Sequence, residues 1–416
     1  MKTLLSLAFF TITFALKVIA QRECSTFSYQ QQQKLQDPLL VEKQKEIETF
    51  TRQFIANNVS AARVMHGEVI KIPVVFHVLY HHPSENISDA QVQTQLDVLN
   101  RCFRRTNADT IKTPSYFSSV AADCEIEFVL AISDPRRRNT NGIIRKYTPI
   151  TEWRDDDKVK RSSEMGDDAW DARSYLNIWV CNLHRLAGYA TMPGGAIEKD
   201  GVVLDFDVLG TGGPSGYNMG KTAVHEVGHW LNLKHLWGDD YCGDDSVNDT
   251  PRQAGYNSGC PSGKLITCNN GPNGDMYMNY MDFTDDACTN LFTKDQKTRM
   301  RSLFAAGGQR SGLLNSTGLL PPLIFESPLP DQSPKWLHPQ LYPNPATTEM
   351  KLDLAYDTRW IGKIVTITNL QGQTVMQVPV QSKEQTIFIS RLKPGMYILS
   401  AKKEDGEFIL EKFVKF

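Results

Sequence analysis

The stretch His225–His235, HEVGHWLNLKH, puts three of the chain's nine histidines and one glutamate into eleven residues. His225 and His229 are four apart, so on a helix they project from one face, about one turn apart. Two imidazoles placed that way can grip one Zn²⁺. Glu226 follows the first histidine, where it can reach a metal-bound water without ligating the metal, the arrangement a general base needs. A bare HExxH pattern also arises by chance, so these five residues alone do not separate a zinc site from a helix that carries histidines.

A catalytic zinc takes a third protein ligand and keeps one position open. No glutamate occurs between Glu226 and Glu326, which removes a downstream glutamate from that role. An aspartate stays open, because Asp is plentiful from 239 to 286. His235 is the better candidate, on one condition. On a continuous helix it would lie roughly 240° around from His229 and ~9 Å further along, out of reach of the same metal. The helix must therefore stop and the chain turn back, through a residue of positive φ. Glycine is the usual choice and asparagine the next best tolerated. Asn232 stands where that turn is needed.

The rest of the chain sets the context. Its 416 residues suggest two or three domains. The formal net charge of -2 gives no electrostatic reason to expect nucleic acid as a partner. The run PRRR at Pro135–Arg138 reads as a short solvated loop. No internal apolar run is long enough to span a bilayer. The N-terminus, Met1-Lys2 followed by TLLSLAFFTITFALKVIA, has the basic start, apolar core and small end of a secretory signal. Val18 and Ala20 occupy the -3 and -1 positions for cleavage before Gln21. An exported chain meets an oxidising compartment.

Residues 1–20 thus read as signal peptide and 21–65 as a polar, weakly helical pro-segment with little core of its own. Ile70–Tyr80, IKIPVVFHVLY, begins the strand signals, joined later by CEIEFVLAI and YLNIWVCNL. Ser88 with Gln91 predicts a capping box ahead of a helix carrying Val92, Leu96 and Leu99. Asp239 to about Asn290 loses apolar periodicity and needs staples; it holds Cys242, Cys260, Cys268 and Cys288. TKDQKTRMRSLFAAGG predicts a helix capped by Thr293 and Gln296 and stopped at Gly307-Gly308. The catalytic unit is set at 66–317 and a Pro-rich linker at 318–335. The alternating stretches of 336–416 predict a small all-β, Ig-like sandwich.

At this point the chain resembles a known family. HExxHxxGxxH is the metzincin signature, and HEVGHWLNLKH is similar to it with Asn232 in place of glycine. HWL, the following LWGD and the later MNYMDFTDDACTNLFTKDQ resemble the pappalysin branch, over about Ile70–Phe304. The resemblance implies an α/β (α+β) catalytic domain with a mixed five-stranded sheet, a zinc-site helix and an irregular C-terminal subdomain. It implies a zinc endopeptidase acting on protein and peptide substrates, with His225, His229 and His235 on the metal and Glu226 as base. A methionine turn of the form Asn-x-Met-Asp fits Asn279–Asp282 and assigns Met281, ahead of Met276 and Met278. Several metzincins carry a tyrosine two residues later; here it is Phe283, which has no hydroxyl to offer. GYATMPGG, Gly188–Gly195, resembles the rim segment along which an extended substrate pairs. The acidic residue that some pappalysins place just before the last cysteine is Ala287 here, after Asp285 and Asp286, so a preference for arginine stays open.

The resemblance also implies the disulfides Cys242–Cys268 and Cys260–Cys288, where the sequence alone allows three pairings. Asp244, Asp245, Asp249 and Thr250 in CGDDSVNDTP read equally as a solvated acidic loop or a Ca²⁺ site, and the resemblance favours Ca²⁺. Cys24 lies just after the predicted signal. Its thiolate could fill the open zinc position, which resembles a cysteine switch, with activation by cleavage between about Arg52 and Arg63. The alternative is a disulfide to Cys102, Cys124 or Cys181. The segments LYPNPAT, NLQGQTV and LKPGMYIL look like a type IX secretion sorting domain of Bacteroidota, which implies that export machinery as a partner and a secreted or cell-surface location. The rival reading is a catalytically degenerate binding protein or adhesin, for which Glu226 would have no use.

Overall fold

The computed structural model describes residues 23–61, 68–326, 334–403 and 408–416. The signal peptide, the end of the pro-segment and residues 327–333 of the linker lie outside the described residues. The elements ahead of the zinc-site helix are β1 (Glu23–Cys24), α1 (Thr26–Gln36), α2 (Leu39–Ala61), β2 (Ile70–Tyr80), α3 (Asp89–Phe103), α4 (Ser115–Ser118), β3 (Ile126–Leu130), β4 (Ile143–Tyr147), β5 (Leu176–Cys181), β6 (Leu186–Ala190) and β7 (Val202–Asp205). Then come α5 (Lys221–Trp230) and α6 (Lys294–Ser302).

The sheet is mixed but has seven strands, not five, in the order β1-β6-β7-β5-β2-β3 with β4 also on β2. Two features make the difference. β3 pairs with Ile70–Val74 and β4 with Phe76–Tyr80, so the two share one edge of β2 end to end. The pro-segment supplies β1, which lies parallel to β6.

β2 is buried along its whole length except at Lys71, as a central parallel strand covered on both faces must be. Its alternation sorts the core. Ile72, Val74, Phe76 and Val78 meet Leu96 and Leu99 of α3 and Val224 and Val227 of α5. Val75 and Leu79 join separate clusters containing Tyr175, Trp179 and Tyr189 on the other face. Ser88 caps α3 by accepting the Gln91 amide at 3.2 Å. The return half of the predicted box is missing, because the Gln91 side chain donates to the Leu209 carbonyl instead. Thr293 and Gln296 form the complete box on α6. That helix ends at Ser302, ahead of Gly307, as Leu303, Phe304 and Leu313 turn into the core.

The loop after α5 is stapled by Cys242–Cys268 and Cys260–Cys288. Cys102, Cys124 and Cys181 are buried free thiols. The C-terminal part holds β8 (Gln340–Tyr342), β9 (Glu349–Asp353), β10 (Ile364–Asn369), β11 (Thr374–Pro379), β12 (Glu384–Phe388), β13 (Gly395–Lys402) and β14 (Phe408–Lys415). They form sheets β11-β10-β13-β14 and β12-β9-β8. Both enclose one apolar core, with Met350, Leu352 and Ile387 from one sheet and Val365, Leu399 and Phe413 from the other. No described helix is long and apolar enough to cross a membrane.

Candidate metal centre

The α5 helix starts and stops on specific groups. At its N-terminus Gly220 has φ +71°, and the Asp286 carboxylate accepts the Met219 and Lys221 amides at 2.7 and 3.2 Å. At its C-terminus Asn232 has φ +73°. The Leu233 amide donates back to the Gly228 carbonyl at 3.0 Å and the Asn232 amide to the His229 carbonyl at 2.9 Å. This pair of bonds is the Schellman stop. The chain reverses there, and His235 comes back to the two helical histidines.

The three rings converge. His229 Nε2 lies 3.0 Å from His225 Nε2 and 3.1 Å from His235 Nε2. Each Nδ1 faces an acceptor: the Tyr280 carbonyl at 2.7 Å for His225, the Leu233 carbonyl at 2.8 Å for His229, and the Asp239 carboxylate for His235. With Nδ1–H donating outward, all three Nε2 lone pairs point at one spot. Burial, then the neighbouring His235, hold His225 down at about 3, and burial with both neighbouring imidazoles holds His229 well below 6.5. Neutral imidazoles with facing lone pairs repel one another unless a cation lies between them. A tetrahedral zinc with ~2.0–2.1 Å bonds has nitrogen–nitrogen edges of about 3.3 Å, close to these separations. The donor set therefore fits zinc.

Cys24 completes the group, with its Sγ and the three imidazole nitrogens all within 4.8 Å of one another. The alternative disulfide to Cys102, Cys124 or Cys181 is not formed. Burial, then the charge of Glu226, push the Cys24 thiol well up, so a thiolate at this place requires a cation. Glu226 is fully buried. Its Oε2 accepts the Thr26 hydroxyl at 2.8 Å, and its Oε1 has no partner among the described residues. Burial lifts it to about 7, against the bonds from Cys24 and Thr26. A small cavity of about 50 Å³ lies against Glu226, His225 and Cys24, with Phe283 and Asp282 in its wall.

The floor of the site comes from the later motif. A Cβ on Gly228 would meet Met281 Sδ at 2.5 Å, so this helical glycine makes room for the methionine beneath the histidines. Asn279 orients the turn: its Oδ1 accepts the Met281 amide at 3.0 Å while its amide pairs with Gln296 of the α6 cap. Asp282 accepts from Gln253 and Asn257, which ties the stapled loop to the turn. Phe283 stands 4.8 Å from the His235 ring and 5.5 Å from that of His225, where it packs and offers no hydroxyl.

Three site residues escaped the sequence reading: Thr26, which ties the pro-segment to Glu226, Asp239 behind His235, and Trp237, stacked on His235 at 4.4 Å. Asp239, four residues past His235, is the one whose spacing could have signalled it. The predicted acidic cluster is only partly assembled. Thr250 donates to Asp245 at 2.8 Å, Asp249 accepts the Asp295 amide at 3.0 Å, and Asp244 is largely exposed near Arg252. Among the described residues the one grouping of metal-ligating side chains is Cys24 with the three histidines.

Residues 159–305 match the family described as pregnancy-associated plasma protein-A, and 340–415 match the secretion system C-terminal sorting domain. An extracellular metalloprotease of Colletotrichum graminicola is 30% identical over 319 residues, 72% of this chain and 96% of that protein. One of Pyricularia oryzae is 33% identical over 60% and 79%. Mature mirolysin of Tannerella forsythia, solved with a cleaved peptide, is 49% identical over 60% of this chain and 96% of that one, with a TM-score of 0.59. Promirolysin of the same organism, as a glutamate-to-alanine mutant, is 44% identical over 71% and 97%, with a TM-score of 0.65. The chain belongs to the pregnancy-associated plasma protein-A, or pappalysin, family of metalloproteases, and is a secreted zinc endopeptidase with a type IX secretion sorting tail.

Proposed function

We propose that His225, His229 and His235 are the zinc ligands of this endopeptidase, that Glu226 is its general base, and that Cys24 takes the fourth position in a latent form. The observation that carries the reading is the convergence of three outward-donating imidazoles and one thiol beside a buried carboxylate. Zinc, when bound, supplies Lewis acidity and lowers the pKa of a water towards neutrality. Glu226 Oε1, without a partner among the described residues, would take the proton of that water and return it to the leaving amine. The edge of β6 offers backbone groups to an extended peptide. The Gly188 carbonyl and Ala190 amide, now used by Ser25 and Thr26, are the ones a substrate would inherit.

In the latent form the pro-segment covers that edge, and the likeness to promirolysin supports a zymogen. Its removal by cleavage between about Arg52 and Arg63 would free the metal and Glu226 together. The same reading divides the chain into signal peptide 1–20, pro-segment 21–65, catalytic domain 66–317, linker 318–335 and an Ig-like sorting domain 336–416. We also propose Asp244, Asp245, Asp249 and Thr250 as Ca²⁺ ligands. Asp245, pushed up to about 7 by burial, and the unpartnered Asp249 Oδ1 support that role.

Casein digestion by the activated chain, with and without a chelator, tests the activity. Glu226→Gln should abolish turnover and leave bound zinc unchanged. Full activity in that variant would sink the assignment. Cys24→Ala should raise the activity of the uncleaved chain, and an equally silent zymogen would remove the thiol from the latency mechanism.

A further inference from the structure

Tyr29 of α1 packs beside β6, on the face of the sheet opposite α5. Gly188 and Ala190 face α5 and Glu226, whereas Tyr189 faces the opposite way into the cluster that buries Tyr29. There the Tyr29 ring packs against Tyr189 at 4.8 Å, with Lys160 Nζ 5.0 Å from its centroid. The phenol donates to Asp157 Oδ1 at 2.7 Å and accepts from Lys160 at 3.3 Å. Burial, then the charge of Asp157, push the Tyr29 hydroxyl well up and keep it a donor.

The walls of this socket are held mainly by groups outside the pro-segment, although Gln33 of α1 also donates to Asp157 Oδ2 at 3.1 Å. Asp157 is held by Lys160 at 3.0 Å and Lys199 at 3.3 Å. Lys160 donates in addition to Thr191 Oγ1 and the Lys199 carbonyl, both at 2.9 Å. Asp157, Lys160, Thr191 and Lys199 all lie beyond residue 65 and stay when the pro-segment leaves. Removal of Tyr29 opens an aromatic slot with a carboxylate at its end and a cation over the ring position, chemistry that selects tyrosine over phenylalanine. The slot also adjoins the cleft. Thr191 Oγ1 is 3.4 Å from the Tyr29 hydroxyl and lies three residues past Gly188, which pairs with Cys24 at the metal centre.

We propose that the Tyr29 socket is a tyrosine-binding exosite of the activated enzyme, which receives the phenol of a peptide strand lying along β6. The source is either a substrate, with its tyrosine about three residues from the bond that is cut, or the released segment acting as an inhibitor. The proposal rests on reading residues 21–65 as a removable pro-segment.

Two arms test it on the full chain activated by limited proteolysis. In the first, quenched peptides carry Tyr, Phe or Ala at positions two to four on either side of the cleaved bond. Tyrosine at one position should raise kcat/KM about tenfold over alanine, and Asp157→Asn and Thr191→Val should each shrink that advantage. In the second, labelled peptides spanning residues 23–57, all with Cys24→Ala, are titrated by fluorescence anisotropy. Tyr29→Ala should weaken binding at least tenfold, and Tyr29→Phe by an intermediate factor. A response in either arm supports the socket and identifies its source. Indifference to tyrosine in both arms overturns it. Should a socket variant fail to fold, the changes made on the peptides decide alone. A complete lack of cleavage sinks the protease reading, while the binding arm still decides the exosite.

Discussion

Replacing Asn232 with glycine and with valine separates the turn from the side chain that now makes it. Asn232 holds φ +73°, a conformation that costs an ordinary L-residue about 1–2 kcal/mol, asparagine less and glycine almost nothing. Its Nδ2 is buried without a partner among the described residues, a further penalty of about 1–3 kcal/mol. Glycine relieves both and keeps the bond that Arg299 Nε donates to the carbonyl of residue 232 at 2.7 Å. Its greater freedom in the unfolded chain offsets part of the gain, about 0.4–1 kcal/mol. The Asn232→Gly variant should therefore be at least as stable as the parent. Valine, β-branched, is strained there by about 1–3 kcal/mol. Relief of that strain should undo the turn and withdraw His235. A bias of about 2 kcal/mol towards the withdrawn form lowers zinc affinity roughly 30-fold. The assay is competition for zinc against a chromophoric chelator, in a Cys24→Ala background so that the thiol does not retain the metal. Valine binding zinc within about threefold of the parent, or glycine weakening it more than tenfold, would refute the reasoning.

Two further tests address the groups behind the site. Asp239→Ala removes the carboxylate that receives the His235 Nδ1–H, and should weaken zinc binding about 10–100-fold; an unchanged constant in the same competition assay would show that Asp239 is not needed. Glu48 joins α2 to Arg299 on α6 at 2.5 Å. Burial raises its carboxyl, but Arg299 and Arg52 hold it down to about 2. The ionised form therefore stabilises docking of the pro-segment. That contribution is complete above the ordinary range near about 4.3 and is lost as the pH falls through about 2. After screening at the half-buried carboxylate it amounts to about 1–2 kcal/mol. The difference in thermal stability between the parent and Glu48→Gln should shrink from pH 5 to pH 2; a constant difference would remove Glu48 from the pH dependence.

Much of this molecule is legible in its sequence. The apolar run of β2, the complete cap on α6, the helix stop at Asn232 and the pairing of four cysteines all follow local rules or the family pattern, and the structure has them. The misreadings share a cause. Gln91 has the spacing of a capping residue, but a carbonyl brought close by the fold takes its amide. Gly307 is a proper stop signal, but α6 ends earlier because the residues after Ser302 are pulled into the core. The edge of β2 carries two short strands in tandem, an arrangement that no single stretch encodes.

By itself the sequence determined the chemistry of the motif: three imidazoles and a carboxylate, together with the one residue able to turn the chain back between the second and third histidines. These are properties of residue type and spacing, which act over a few ångströms along the backbone. Only the tertiary structure decided that Thr26 and Cys24, two hundred residues ahead of Glu226, lie against it, and that Gly228 is open for Met281. It alone decided that Tyr29 fills a slot ending in Asp157. Contacts of that separation form because the sheet and its flanking helices bury their apolar faces against one another, and that burial brings distant polar groups within hydrogen-bond reach.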